Sequence, residues 1–201
     1  MFARICFLSL ALVASPCFTQ VLALTDINNA KNPKVEINTS HEKIVLVLFS
    51  DKPPATVNNF HADIQSGRYN NSISNRVAKD FIIQSGADNA NLLKNPQRNP
   101  AAREVSPVLK NRCGTDAAAR KLSDNNSTTS NFFFNLVDSP QLHFFQYNIS
   151  PLNQGLAVLA QPIDGIEVID IIRKVAMANK RGFSTLATAP VMIHTITRAG
   201  E

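Results

Sequence analysis

The chain is short of cysteine, with three in 201 residues. Cys6 and Cys17 fall within the first 23 residues, so the remainder holds Cys113 alone. A single cysteine makes no internal disulfide, and the fold is expected to stand on its core. Cys113 then reads as a small core hydrophobe. Long apolar runs are also scarce: beyond the N-terminus none approaches the roughly 20 residues a membrane span needs. Dense basic runs are missing too. Lys31, Lys34, Lys43, Lys52, Lys79 and Lys94 are scattered, without the aromatic interleaving of a nucleic-acid face, so the net charge of +5 reads as a solvated surface. The sequence has no Gly-rich phosphate loop, no paired cysteines for zinc, no His-x-x-x-His and no Gly-x-Ser-x-Gly elbow. Asp51, Asp63, Asp80 and Asp88 form no carboxylate pair at motif spacing. Phosphoryl transfer, zinc chemistry and serine hydrolysis thus have no obvious starting residues, and no metal or cofactor is expected.

The N-terminus carries a different signal. Arg4 precedes an apolar stretch from Ile5 to Ala14, and Val21 and Ala23 make a small-x-small pattern before Leu24. This predicts a secretory signal peptide over residues 1–23. As an anchor it is poor, because Ser15, Pro16, Thr19 and Gln20 interrupt it. The rest of the chain is then expected in a periplasm or secreted, off the membrane after cleavage. Residues 24–34 are polar and read as a flexible arm. Residues 35–201 form the domain.

Val35 to Thr39 alternates apolar and polar, and Ile44 to Phe49 is apolar on both faces, an opening hairpin around His41-Glu42-Lys43. Pro53-Pro54 starts a helix with Asp51 as its expected cap, Val57, Phe60 and Ile64 as its stripe, and Gly67 as its stop. Asn75 to Gly86 holds an arginine, then the apolar run Phe81 to Ile83, Gln84 and an expected turn at Ser85-Gly86. Residues 87–107 read as a long proline-rich loop, and 116–120 as a short strand. Asn131 to Val137 is the strongest strand, with Phe133 on one face and Phe132 and Phe134 on the other. Leu156 to Ala160 is a further strand, and Gly165 to Ile172 opens a second amphipathic helix with Ile169, Ile172 and Val175 inward. Val191 to Thr197 is the last strand. Seven or so strands with two well-separated helices point to an antiparallel barrel or sandwich with helices over its openings.

One arginine, two side-chain amides (Gln84, Asn131) and several phenylalanines remain as candidate chemistry. They are the parts of a peptide groove. Spacing alone favours the plainer reading, a strand preceded by a surface arginine, ion-paired with Asp80.

In this order the segments resemble the cyclophilin family of peptidyl-prolyl isomerases, especially its exported bacterial type. Pro53-Pro54-Ala55-Thr56-Val57-Asn58-Asn59-Phe60 is similar to the first helix. Gly67 to Ser72, Arg76-Val77 and Asp80 to Gly86 are similar to the family's Arg-Val…Phe-Met-x-Gln-Gly-Gly block. Ser130-Asn131-Phe132-Phe133 resembles Ser-Gln-Phe-Phe. Leu156 to Ala160 and Gly165 to Val168 resemble the late strand and second helix. The resemblance implies a mainly β fold, a closed antiparallel barrel capped by two α-helices. It implies an isomerase acting on X–Pro bonds of exported proteins and assisting their folding. The alternative is a catalytically weak or inactive peptide-binding or chaperone module.

The resemblance also implies roles. Arg76 matches the catalytic arginine, donating toward the prolyl nitrogen or holding the neighbouring carbonyl. Phe81, Ile82, Gln84, Ala119, Arg120, Asn131, Phe133 and Leu142 match substrate-binding positions. The implied partners are proline-containing segments of unfolded or folding proteins, met by a monomer, with no nucleic acid and no cofactor. Several positions depart from the pattern. Ser74-Asn75 stands for Phe-His, Ala118 for a pocket methionine, Asn131 for glutamine and Gln141 for an aromatic. Leu156 stands for a histidine or tyrosine, a place for which His143 and Tyr147 are the alternatives.

Overall fold

The computed structural model describes residues 28–96, 99–101, 104–121, 124, 126–145, 154–180 and 182–200. Eight of the strands close into a barrel. In chain order they are β1 (Lys34–Thr39), β2 (Lys43–Leu48), β3 (Ser72–Ala78), β4 (Ile82–Asn89), β5 (Asp116–Ala118), β6 (Phe132–Asn135), β7 (Val158–Asp164) and β10 (Met192–Arg198). Around the barrel the order is β1-β10-β3-β4-β6-β5-β7-β2, every pair antiparallel. Helix α1 spans Pro54–Gln65 and α2 spans Ile166–Ile172. A two-stranded hairpin, β8 (Met177–Lys180) with β9 (Phe183–Ala187), stands outside the barrel; the sequence reading missed it.

Alternation along each strand sends one set of side chains inward. Val35 and Ile37 from β1, Ile44, Leu46 and Leu48 from β2, Val77 from β3, Ile83 from β4, and Phe132 and Phe134 from β6 make the interior cluster. Val57, Phe60 and Ile64 of α1 and Val168, Ile169 and Ile172 of α2 pack onto it, as their periodicity predicted. Phe60, Tyr69 and Phe132 meet with ring centroids 5.2–5.5 Å apart. Each such buried ring contributes roughly 1.5–3 kcal/mol from burial.

Three sequence readings need correction. The residue before α1 is Pro53, and no side chain caps the helix locally. Instead Glu104, from the long loop, accepts the Thr56 N–H at 2.9 Å. A carboxylate meeting an orphan amide at the positive end of a helix does the work expected of Asp51 from 48 residues away. Glu104→Ala is therefore expected to cost about 0.5–2 kcal/mol, the usual value of a lost cap. The thermal midpoint should fall by roughly 2–4 °C per kcal/mol, and an unchanged midpoint would rule the cap out.

Ser85-Gly86 is not a turn but the middle of β4. Gly86 has φ +97°, and a Cβ there would lie 2.6 Å from the Ser130 carbonyl oxygen. The chain can pass so close only because the side chain is missing. Part of the expected arm is tied down: Asn32 is buried, Ser50 Oγ donates to its Oδ1 at 3.2 Å, and Leu48 N–H donates to the Pro33 carbonyl at 2.9 Å. Cys113 is buried, its Sγ 3.2 Å from the Leu136 carbonyl oxygen.

Candidate functional site

A second apolar cluster lies on the outer face of the barrel wall. Its buried members are Val47, Phe49, Ile82, Leu109, Ala117, Phe133 and Val158, with Phe81, Ala119, Leu142 and Leu156 packed against them. This explains why β2 reads as apolar on both faces: Leu46 and Leu48 serve the interior, Val47 and Phe49 the outside.

Register assembles the site. Arg76 on β3 is paired with Gln84 on β4, Gln84 with Phe133 on β6, and Phe133 with Ala117 on β5. Residues directly opposite in antiparallel strands share a face. One row across four strands thus carries a cation, an amide, an aromatic ring and a small residue on the outside. Asn131 and Ala119 extend that face by two residues on each strand, and the Ala119 N–H donates to the Asn131 carbonyl at 2.9 Å.

Arg76 owes its outward aim to an irregularity. Ser74 is paired with Ser85, yet Arg76 is paired with Gln84, so β3 has one residue more than β4 between these pairs. Ser74 and Ser85 are buried, their hydroxyl oxygens 2.9 Å apart. In a regular strand Arg76 would share the face of Ser74. The extra residue, Asn75, is itself buried, and it reverses the parity. Arg76 emerges exposed, its Cζ 5.9 Å from the centroid of the Phe81 ring. Among the described residues it makes no ion pair with Asp80.

Beside the apolar cluster is an open cavity of about 560 Å³. Gln84, Ala119, Arg120 and Asn131 line it, together with Lys94, Lys121 and Asp124. Ala119 belongs to both the cluster and the cavity, so the two are contiguous. The Arg120 guanidinium donates to the carbonyl of Lys121 at 2.9 Å.

Leu142 reaches the cluster from a 3-10 turn, Pro140–Leu142. Leu156 lies beside it, its N–H donating to the Leu142 carbonyl at 3.0 Å. His143 turns aside: its Nε2 is 3.1 Å from the Asn111 carbonyl, and burial lowers its pKa. Tyr147 falls outside the described residues. Ala118 faces the barrel interior, so the position read as a lost pocket methionine is not on the pocket side.

The sequence reading therefore named nine residues that the fold brings to one outer face. It missed Ala117, Val158, Leu109, Val47 and Phe49. Only the last two carried a signal, the two-sided hydrophobicity of their strand.

Residues 34–199 match the sequence model of the cyclophilin type peptidyl-prolyl cis-trans isomerase/CLD family. The chain belongs to that family. This cyclophilin is a peptidyl-prolyl cis-trans isomerase, and its reaction is rotation about the peptide bond preceding proline. It is 34% identical over 163 residues to peptidyl-prolyl cis-trans isomerase B of Escherichia coli, a match covering 81% of this chain and 98% of the relative. It is 35% identical over 159 residues to the isomerase cyp18 of Streptomyces antibioticus, covering 79% and 94%. Among solved structures, the fold matches a cyclophilin type isomerase of Cryptosporidium parvum with TM-score 0.67 at 23% identity, over 85% of this chain and 99% of that one. A second crystal structure of that protein was determined in the presence of the dipeptide Ala-Pro.

Proposed function

We propose that this cyclophilin turns X–Pro bonds at the outer cluster, with Arg76 as the catalytic residue and Phe81, Ile82, Phe133 and Leu142 around the proline ring. The observation that carries the reading is the row Arg76–Gln84–Phe133–Ala117, which sets a guanidinium beside the outer apolar cluster on one face. The barrier is about 18–20 kcal/mol, because the peptide bond loses its resonance when twisted. No covalent bond forms or breaks. The twisted nitrogen regains its lone pair and becomes a better acceptor, and a fixed charged donor favours that state over the planar one. The apolar wall holds the ring out of water. Gln84, opposite Arg76 on the adjacent strand, is suited to orienting it. The Ala119-Arg120 backbone and Asn131 are suited to the flanking peptide. The test is a prolyl-peptide isomerisation assay of the wild type beside Arg76→Ala.

We further propose that the protein acts as an exported monomer on proline-containing segments of folding proteins. Support comes from the leader-like residues 1–23 and from the barrel closure, which leaves the eight barrel strands no unpaired edge. In a fractionated host the expected product begins at Leu24 in the periplasm or medium and sediments as one chain. A cytosolic protein that retains Met1 would overturn the export reading.

A further inference from the structure

Leu142 and Leu156 form one wall of the outer cluster, yet neither lies in a barrel strand. They sit at the two ends of a long excursion, and their positions have to be fixed by something other than the sheet ladder. One side chain is placed to do this. Asn111 is fully buried in the loop before β5. Its Nδ2 donates to the Leu142 carbonyl at 2.8 Å and to the Leu156 carbonyl at 3.0 Å. Both hydrogens of the amide are thereby used, one on each end of the excursion. Its Oδ1 accepts from Asn135 Nδ2 at 3.2 Å. Asn135 also donates to Thr115 Oγ1 at 3.0 Å and lies on β6, two residues from Phe133. The Asn111 backbone carbonyl accepts from the Ser139 N–H at 3.0 Å and lies 3.1 Å from His143 Nε2. A single residue therefore ties the strand that carries Phe133 to both segments that face it.

We infer that Asn111 is a positioning residue for the proline pocket, holding the Leu142–Leu156 wall at the spacing a proline ring requires. The inference rests on the assignment of Leu142 to that pocket. The amide touches no reacting atom in this arrangement. It acts by fixing two backbone carbonyls, and a wall so fixed loses no order when the ring enters. Without the amide, the Leu156 carbonyl loses its donor, the Leu142 carbonyl keeps only the Leu156 N–H, the Asn135 amide loses an acceptor, and the wall can drift from the Phe133 ring. Contact with the proline ring differs little between the planar and twisted states of the bond. Its loss should therefore act as a loss of uniform binding, raising KM with little change in kcat.

The experiment is steady-state isomerisation kinetics with a prolyl peptide, together with methyl NMR of Leu142 and Leu156. Asn111→Ala and the isosteric Asn111→Asp are expected to raise KM about tenfold and leave kcat within about twofold, with the two leucine methyl signals shifted or broadened. Val168→Ala, in the interior cluster on α2, supplies a destabilised control whose KM should not move. If Asn111→Ala does not fold, Asn111→Asp carries the test. Leu142→Ala separates the two levels. An unchanged KM in Leu142→Ala would overturn the pocket assignment itself. A raised KM there with wild-type KM in the Asn111 variants would overturn the clip alone. An equal rise in Val168→Ala would also overturn it, since the effect would then be general loss of stability.

Discussion

Arg76→Ala is expected to lose about two to three orders of magnitude in kcat, the range measured when one preorganised donor is removed from a reacting oxygen or nitrogen. Each tenfold corresponds to roughly 1.4 kcal/mol, so the loss amounts to about 3–4 kcal/mol of transition-state stabilisation. Stability should hardly change. Arg76 is exposed, and its contact over the Phe81 ring is worth at most about 0.5–1 kcal/mol at such a site. Arg76→Lys keeps the charge but loses the planar fork, and recovery should be partial. The loss belongs in kcat because the charge interacts with the twisted nitrogen and not with the planar one. Equal activity in wild type and Arg76→Ala would remove the chemistry from this face. Absence of activity in both would leave a peptide-binding module in place of a catalyst.

The second large effect concerns stability, at Asp116. This residue is wholly buried on β5, paired with Phe134 on one side and Ala160 on the other, both members of the interior cluster. Neither carboxylate oxygen has a hydrogen-bond partner of good geometry. Burial holds its pKa well above the usual carboxylate value, against a slight opposing pull from the Ala117 amide. The nearby Tyr69 phenol is also pushed up, by its own burial first and then by the charges of Asp63 and Asp116. Below the unfolded-state value of about 4 the acid is neutral in both states and costs least. As pH rises beyond that value the unfolded chain ionises first while the folded chain keeps its proton. The unfolded state then binds fewer protons, so stability falls until the folded group also ionises.

Asp116→Leu and the isosteric Asp116→Asn should therefore both stabilise the protein at pH 7, the leucine variant by about 1–3 kcal/mol after some repacking strain. Urea unfolding from pH 3.5 to 8 would check this. The Asp116→Asn curve should meet the wild type at the acid end and rise above it toward neutrality. Parallel curves would mean that Asp116 is solvated or paired after all. No loss of the outer face is expected, because Ala117 and Ala119 point the other way.

Much of the fold was legible because alternation and periodicity are local. Phe133 was separated from Phe132 and Phe134 by counting in twos, and Val57, Phe60 and Ile64 by counting in threes and fours. The site was legible by another route, the order of segments resembling a known family, which located Arg76, Gln84, Asn131 and Phe133. What could not be read depended on contacts distant in sequence. Glu104 caps a helix that begins 50 residues earlier. Asn111 is one polar residue among many in a loop until its two carbonyl partners are known. Asp116 reads as the polar start of a short strand, and only barrel closure makes it an interior acid. Counting in twos also misleads at Ser74 and Arg76, where the pairing slips.

That slip gives the protein a form of arithmetic vulnerability. The aim of its proposed catalytic cation depends on one uncompensated residue: with Asn75 unmatched on β4, Ser74 faces inward and Arg76 outward although they are two positions apart. Point substitutions change a side chain and leave that count intact. Removing Asn75 would erase the bulge and leave the arginine directly after Ser74, still opposite Gln84 and still outward. A residue gained between Gln84 and Ser85 would instead compensate the bulge, put Ser74 and Arg76 on one face, and misdirect either the buried hydroxyl pair or the arginine. The wall thus tolerates a loss on one strand and not a gain on the other.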